Sequence, residues 1–418
     1  MSVGLAASGL RLCRHVALAA VVTLAVGNGL AAASPDFIRA EGKRLVDARG
    51  ERFSVKGINL GNWLVPEGYM FKFTRARAPH EIARVIEALV GPEEAAHFWT
   101  EFRDVYVAAQ DIRFIKAAGF NTVRVPLDWQ LFMKAGGGGE DRFAGEGWAL
   151  LDRLVEWCRE AGLRVIIDLH AAPGGQTGVN HDDGTGFPLT FYVPRYRRLT
   201  IALWRELAAH YRNEPTILGY DLLNEPISPY SDEGYLNPRL EPLYRDIVAA
   251  IRSVDANHVV LLAGAQWSTS FAVFDRPFDT NAVYTYHKFW ADPTRASLQR
   301  YLDFSNRWNV PLLIGETGEL TNAWNDAFRR LHERFGIGWC FWPYKNLESN
   351  AAVISIAKPA GWDRLAHAGD LLIEASGPVP LPPRDEARAI LDRYLDAAKF
   401  KNGRINAGYL ESLGLAVP

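Results

Sequence analysis

An α/β fold of the (β/α)8 TIM-barrel class is predicted by three observations on the sequence. Eight short runs rich in branched apolar residues recur along the chain, and most end in a polar residue. Longer segments whose apolar residues return every three or four positions separate them, an alternation that implies parallel strands joined by helical crossovers. The 418 residues also exceed the roughly 250 of a minimal barrel by enough to supply extended loops and an N-terminal extension. A doubly wound open sheet is the competing architecture, but its nucleotide-binding form needs a phosphate-cradling glycine loop after the first strand. Gly57 and Gly61 of GINLGNW do not present G-x-G-x-x-G, and no G-x-x-x-x-G-K-[ST] occurs.

The expected strands occupy residues 53–59, 120–126, 163–170, 217–225, 258–263, 282–287, 311–316 and 337–342. Each is bounded by turn residues and enriched in Val, Ile, Leu or aromatic side chains. The expected helices are 108–118, 148–161, 196–211, 242–251, 292–308 and 324–334, with a helical insertion at 79–107 after the first strand. The glycine tract 136–139 reads as a flexible loop, because no strand runs directly into it and no helix start follows. A proline-rich stretch at 378–383 breaks the pattern before an amphipathic segment, 386–400, expected to cover the barrel as a terminal helix. Residues 402–418 are too short to fold alone, so a single barrel domain is expected over 34–418.

Residues 1–33 read as a secretory signal peptide. Arg11 and Arg14 precede an apolar run from Val16 to Val26, and the small residues Ala31, Ala32, Ala33 and Ser34 follow. The run is shorter than the roughly 20 apolar residues of a spanning helix. The expectation is cleavage near Ala33, a secreted or periplasmic protein and no stable membrane association; an uncleaved anchor is the alternative. With 48% hydrophobic residues and 13 Trp the chain can bury a sizeable core, which excludes wholesale disorder. Its 46 Lys+Arg against 48 Asp+Glu give a formal charge of -2, no broad basic field for nucleic acid. Cys13 leaves with the signal, and Cys158 and Cys340 fall in a helix and a strand far apart, which indicates neither a disulfide nor structural zinc. No cofactor and no metal are implied, and a monomer is expected.

In a barrel the functional face is built from the C-terminal ends of the strands, so the residues that close the apolar runs belong together. Arg124 lies in NTVRVP, His170 closes VIIDLH, Asn224 and Glu225 lie in YDLLNEP, His287 closes YTYH, Glu316 closes LLIGE and Trp342 closes GWCFW. Such a set makes one pocket with two carboxylates. That is the equipment for cleaving an acetal: one protonated acid for the poor leaving group, and one ionised carboxylate for the positive charge at the anomeric carbon. Glu225 is the expected acid/base and Glu316 the expected nucleophile. Asn224 suits a sugar 2-hydroxyl, Arg124 suits holding Glu316 ionised, and Trp342 suits stacking on a pyranose. The two glutamates are expected to have pKa values pushed apart. Each residue also has a plainer reading: Glu225 and Glu316 as turn carboxylates, Arg124 as a partner of Asp128 or Glu101, Asn224 as a loop tie, His170 and His287 as core histidines, Trp342 as a barrel cap. Trp63, Tyr69, Trp129, Trp267, Phe289 and Trp290 are further aromatic candidates for the cleft.

Taken in order, VRVP, DLH, NEP at the fourth strand, a histidine at the sixth, GE at the seventh and an aromatic at the eighth resemble glycoside hydrolase family 5, the cellulase family, over roughly residues 53–370. The resemblance implies a barrel that hydrolyses β-linked glucans or mannans with retention and without a metal. It places the acid/base on Glu225, the nucleophile on Glu316, and binding or supporting roles on Arg124, His170, Asn224, His287 and Trp342. GINLGNWL, HAAPGGQTG and WPYKN look like the exo-acting β-1,3-glucanase branch. That family often carries an aromatic hydroxyl two residues after the sixth-strand histidine, supporting the nucleophile; Phe289 stands there, so either Tyr284 or Tyr286 substitutes or the contact is missing. The loop 174–188, with His181, Asp182 and Asp183, either closes one end of the cleft and favours attack from a chain end or is an acidic surface loop. The expected partner is a β-linked oligo- or polysaccharide, foremost β-1,3-glucan. An endo-β-1,4-glucanase or β-mannanase, a glycolipid β-glycosidase and a noncatalytic carbohydrate-binding barrel are the alternatives; the last is expected to lack one carboxylate, and both are present.

Overall fold

The computed structural model describes residues 36–135 and 141–418, so the expected signal peptide at 1–33 and the loop at 136–139 lie outside the described residues. Eight parallel strands close a barrel in chain order: β1 (Lys56–Asn59), β2 (Thr122–Asp128), β3 (Arg164–Ala171), β4 (Ile217–Asp221), β5 (Val259–Ala263), β6 (Ala282–His287), β7 (Leu312–Glu316) and β8 (Gly338–Phe341). β1 pairs with both β2 and β8, which completes the ring. The helices of ten or more residues are α1 (Pro79–Val90), α2 (Pro92–Tyr106), α3 (Ala109–Ala118), α4 (Gly147–Ala161), α5 (Pro194–Tyr211), α6 (Glu233–Arg252), α7 (Arg295–Trp308), α8 (Asn322–Arg334), α9 (Trp362–Glu374) and α10 (Arg384–Ala398). α3 to α8 carry the crossovers, while α1 and α2 form the insertion after β1, divided at Gly91.

The strands' period of two sorts their side chains into two cores. Val259 and Leu261 of β5, Val283 of β6, Leu313 of β7 and Cys340 of β8 meet inside the barrel with Ile166 and Leu218. Ile38 and Leu45, on the hairpin of Arg39–Glu41 and Arg44–Val46, join that inner cluster and close the end where the strands begin. The alternate residues, such as Val260, Leu262, Tyr284, Ile314 and Phe341, face the helices and form the larger outer core. With its lower half filled by hydrocarbon, the barrel leaves its upper half to polar side chains.

Several boundaries differ from expectation. β4 ends at Asp221, so Asn224 and Glu225 lie in the loop beyond it. α6 starts at Glu233 and carries Pro238 and Pro242 within it, whereas the sequence pattern predicts a start at Pro242; Asp232 caps it by accepting from Tyr235 N at 3.1 Å. The C-terminal tail does not stand alone: Arg404–Ile405 pairs with Ile354–Ile356, and Tyr409 Oη donates to Trp342 O at 3.1 Å. Buried Lys345 ties the accessory helices to the barrel, bonding Tyr106 O at 2.7 Å and Ala398 O at 2.9 Å and pairing with Asp111 at 2.6 Å. Cys158 and Cys340 are free and buried. Among the described residues, no helix is long and apolar enough to cross a membrane.

Candidate active site

A cleft of about 590 Å³ opens over the strand ends, and Arg124 lies buried at its base. The guanidinium fork reaches four strands or their loops. Its Nε donates to Asp221 Oδ2 at 2.9 Å, Nη2 pairs with Asp168 Oδ1 at 3.0 Å and donates to Asn224 Oδ1 at 3.0 Å, and Nη1 donates to Asn59 Oδ1 at 3.0 Å and to Glu316 Oε1. Three carboxylates around one permanent cation leave a net negative buried cluster, which protonation relieves. Burial pushes Asp168 up to about 7 and Asp221 up to about 6, although Arg124 pulls both down.

The loop after β4 holds Glu225 in a left-handed conformation, φ 45°, that residues other than glycine rarely adopt. Its neighbours keep it there. Asn224 N donates to Leu169 O at 3.0 Å, and the buried Gln176 amide donates to Asn224 O at 2.8 Å and to His170 O at 2.6 Å, which joins this loop to the one after β3. The Asn224 amide is itself oriented: its oxygen accepts from Arg124, so its nitrogen faces His170 Nε2 at 3.3 Å. His170 therefore accepts at Nε2 and donates from Nδ1 to Asp168 at 2.8 Å. This neutral tautomer agrees with its pKa, which burial lowers to about 3.

A register shift aims Glu316. β6 and β7 pair Tyr286 with Ile314 but His287 with Glu316, so Gly315 is the extra residue of a bulge and Glu316 turns to the mouth. Glycine is required at 315, because a Cβ there would lie 2.7 Å from Thr285 Oγ1 and 2.8 Å from His287 Nε2. His287 Nδ1 then stands 2.9 Å from Glu225 Oε1 and 3.8 Å from Glu316 Oε2. Carboxylate oxygens of Glu225 and Glu316 lie within 4.8 Å of each other.

The model of the cellulase family, glycosyl hydrolase family 5, matches residues 89–348. The chain belongs to that family. It is therefore a retaining O-glycosyl hydrolase that works by double displacement. It is similar to a β-xylosidase of Phanerodontia chrysosporium, 26% identical over 354 residues that cover 74% of this chain and 71% of that protein. It is also similar to a glucan 1,3-β-glucosidase of Pichia angusta, 31% identical over 185 residues, 43% of this chain and 42% of that protein. The chain thus spans less than half the length of that glucosidase. A solved endogalactoceramidase shares the fold with a TM-score of 0.60 at 16% identity, over 90% of this chain and 84% of that one.

In this family 5 glycosidase the structure brings Arg124, His170, Asn224, Glu225, His287, Glu316 and Trp342 together. Trp342, just past β8, stacks on His170 at 5.7 Å and 10°. Tyr69, Trp267, Phe289 and Trp290 line the cleft, whereas Trp63 and Trp129 do not. Tyr286 is not in the site. It and Tyr284 face the helices, as alternate residues of the strand that points His287 inward; Tyr286 is fully buried and stacked on Tyr301 at 3.9 Å. The Glu225 carboxyl is pulled in two directions. Burial pushes that carboxyl up, but the hydrogen bond and charge of His287 foremost carry it below the ordinary value. His287 moves the other way: burial lowers it, and the charges of Glu316 and Glu225 more than offset that.

Sequence reasoning missed several neighbours. Asp168 and Asp221 sit in the DLH and YDLLNEP motifs, and Asp168, two residues before His170, shares its face of β3. Glu67 is buried in the cleft wall with Oε1 unpartnered among the described residues, and burial with three nearby glutamates pushes it well above the ordinary range. The loop 174–188 borders the cleft through Val179, Asn180 and His181, whose Nε2 lies 3.6 Å from Glu225 Oε2. Its acidic residues lock the loop. Asp182 accepts from the Thr177 and Gly178 amides, and Asp183 accepts from His80 N at 2.8 Å and Gln130 Nε2 at 2.8 Å. Two sets of potential metal donors, Asp168 with His170 and Glu225 with His287, both share Glu316, to which Arg124 already supplies a fixed cation.

Proposed function

We propose that this enzyme is a β-glucosidase that releases glucose from the chain ends of β-1,3-linked glucan, with Glu316 as nucleophile and Glu225 as acid/base. The spacing of these two carboxylates, within 4.8 Å, carries their pairing as nucleophile and acid/base. Retaining enzymes hold their carboxyl groups about 5–5.5 Å apart, so that one attacks the anomeric carbon while the other protonates the departing oxygen; inverting enzymes leave about 6.5–9.5 Å for a water.

The proton for the leaving group starts in the Glu225–His287 pair. Glu225 passes it to the glycosidic oxygen as Glu316 attacks from the opposite face, forming a glycosyl ester. Glu225, now ionised, takes a proton from water, and the resulting hydroxide equivalent attacks the anomeric carbon and releases Glu316. Arg124, bonded to Glu316 Oε1, orients that carboxylate for attack in the first step and offsets the negative charge it regains as leaving group in the second. Asn224 presents its amide N–H beside the anomeric centre, where a 2-hydroxyl contact strengthens in the transition state.

The similarity to glucan 1,3-β-glucosidases supports the linkage, and the loop of His181 at one border of the cleft supports action from an end. The reading of residues 1–33 as an export signal, with the catalytic domain over 34–418, places the action outside the cytoplasm. A second reading, a β-glycosidase for apolar or flat aglycones, is favoured by Tyr230 and Trp290, which line the mouth while 85% and 73% exposed.

Product analysis of the purified mature protein on laminarin, β-1,4-glucan, β-mannan and short β-glucosides tests the proposal. Glucose as the first product from laminarin is expected. A ladder of longer products from another polymer overturns the linkage and the mode of attack, and turnover restricted to aryl or lipid glucosides selects the second reading.

A further inference from the structure

Three residues beyond Glu316 the chain reverses sharply. Gly318 has φ 127° and Glu319 φ 57°, two left-handed residues in succession. Gly318 bridges to Trp342, and a Cβ on it would lie 2.7 Å from Trp342 O. The turn is therefore pressed against the backbone of the stacking tryptophan, and it swings the Glu319 side chain back into the cleft wall. A left-handed conformation on a residue with a Cβ costs on the order of 1–2 kcal/mol, a strain that native structures retain mostly where it serves a site.

The carboxylate so placed ends a one-way chain of hydrogen bonds. An indole N–H can only donate, so Trp342 Nε1 gives its proton to Tyr69 Oη at 2.7 Å, and Tyr69 gives its own to Glu319 Oε1 at 2.9 Å. The chain fixes Trp342 in its stack on His170 and fixes one oxygen of Glu319. The other oxygen takes no hydrogen bond among the described residues. Glu67, 6% exposed and with its own Oε1 unpartnered among those residues, lies on the same cleft. Lys72 and Glu316 are the other charged groups acting on Glu319.

We propose that Glu319 is a specificity-determining residue for the glycone: its free oxygen accepts a hydrogen bond from a ring hydroxyl, remote from the anomeric carbon, of the sugar lying against Trp342. This rests on the glucosidase reading above. The Trp342–Tyr69–Glu319 chain couples the two halves of the recognition, the apolar ring face and the hydroxyl edge. A glycone lacking that hydroxyl leaves a desolvated carboxylate oxygen unpaired, which is how a site built for a hydroxyl rejects a deoxy analogue.

The test uses 4-nitrophenyl β-glucoside and its 3-, 4- and 6-deoxy analogues with wild type, Glu319→Gln and Glu319→Gly. KM for the parent glucoside is expected to rise by about tenfold to a hundredfold in Glu319→Gly, the size of a hydrogen bond to a charged group, with kcat within about threefold. One deoxy analogue should be poor for wild type yet no worse than the parent for the variant. Because glycine adopts φ 57° without strain, Glu319→Gly is also expected to keep or raise the melting temperature, which a merely structural glutamate would not allow. Glu319→Gln, which keeps an oxygen but not the charge, should fall between. Unchanged KM in Glu319→Gly, or equal losses for every deoxy analogue in both proteins, overturns the inference. Failure of wild type to hydrolyse any of these glucosides, with activity on another β-glycoside, overturns the glucosidase reading instead, and the same variants on that glycoside then decide the role of Glu319.

Discussion

His287 Nδ1 lies 2.9 Å from Glu225 Oε1, and the shifts of the two groups are opposite in sign: the carboxyl is lowered and the imidazole raised. The pair therefore holds one proton between them over a broad range, resting on the imidazole in the free enzyme. With Glu225 as the proposed acid/base, this differs from a lone glutamate kept protonated by an apolar pocket: the proton for the leaving group is stored on a neighbour.

His287→Gln is expected to lower kcat/KM by about 10²–10⁴-fold, the usual worth of a placed proton donor. The sign of the pH shift follows from the store. In wild type the last proton leaves the pair at the raised imidazole value, above 6.5. Without His287 it leaves Glu225 itself, so the basic limb of the kcat/KM profile should move to lower pH. A basic limb that stays in place would show that His287 does not share the catalytic proton.

Glu316→Ala removes the proposed nucleophile, and a fall in kcat on the order of 10⁴-fold or more is expected while the fold persists. Sodium azide should restore turnover of an activated aryl β-glucoside in that variant, with an α-glucosyl azide as product, because the anion enters from the face the carboxylate has vacated. In Glu225→Ala azide should instead give the β-azide, attacking the intermediate from the other side. NMR of the two products checks both roles at once, and wild-type-like turnover by either variant sinks its assignment.

Arg124→Met probes the buried cluster as a structural element. Removing the guanidinium leaves Asp168, Asp221 and Glu316 without their counter-ion and strands Asn59 Oδ1, so a loss of about 3–5 kcal/mol in urea unfolding is expected. Protonation of the stranded carboxyls relieves the repulsion, so the loss should be smaller at pH 5 than at pH 8. Equal losses at both would mean that the cost is one of packing rather than charge.

The strand-end residues were legible because a closed parallel barrel sends the last residue of each strand to one mouth, whatever the loops do. His287 and Glu316 close β6 and β7 and follow from that rule; His170 stands one residue before the end of β3, Arg124 four before the end of β2, and Asn224 and Glu225 lie just beyond β4, which stops three residues before Asn224. Tyr286 does not follow, for the converse reason: on β6 it has the opposite parity from His287, and a period of two excludes both from one face. Glu67, His181 and Glu319 left no periodic signal, being loop residues aimed by left-handed turns and long-range hydrogen bonds. The bulge at Gly315 is equally silent, since a glycine before a strand-end glutamate fits an unbroken strand just as well.

Asp128 gives a stability prediction independent of catalysis. It closes β2, is 8% exposed, and caps the following turn by accepting from Gln130 N at 2.9 Å. Burial, with the charge of Asp183, pushes it up to about 7 from an ordinary 3.8, against the pull of Gln130 N–H and Arg103. A folded-state value above the unfolded one means that the native protein binds the extra proton. This group's contribution therefore declines as pH rises from about 4 to about 7, and above that the native state carries the full cost of a buried charge. Asp128→Asn keeps the capping oxygen and removes the charge. It should match wild type in melting temperature near pH 4 and exceed it at pH 8, by ~1–3 kcal/mol of stability. A variant less stable than wild type at pH 8 would show instead that the ionised carboxylate, held between Gln130 N–H and Arg103, is what the native fold uses.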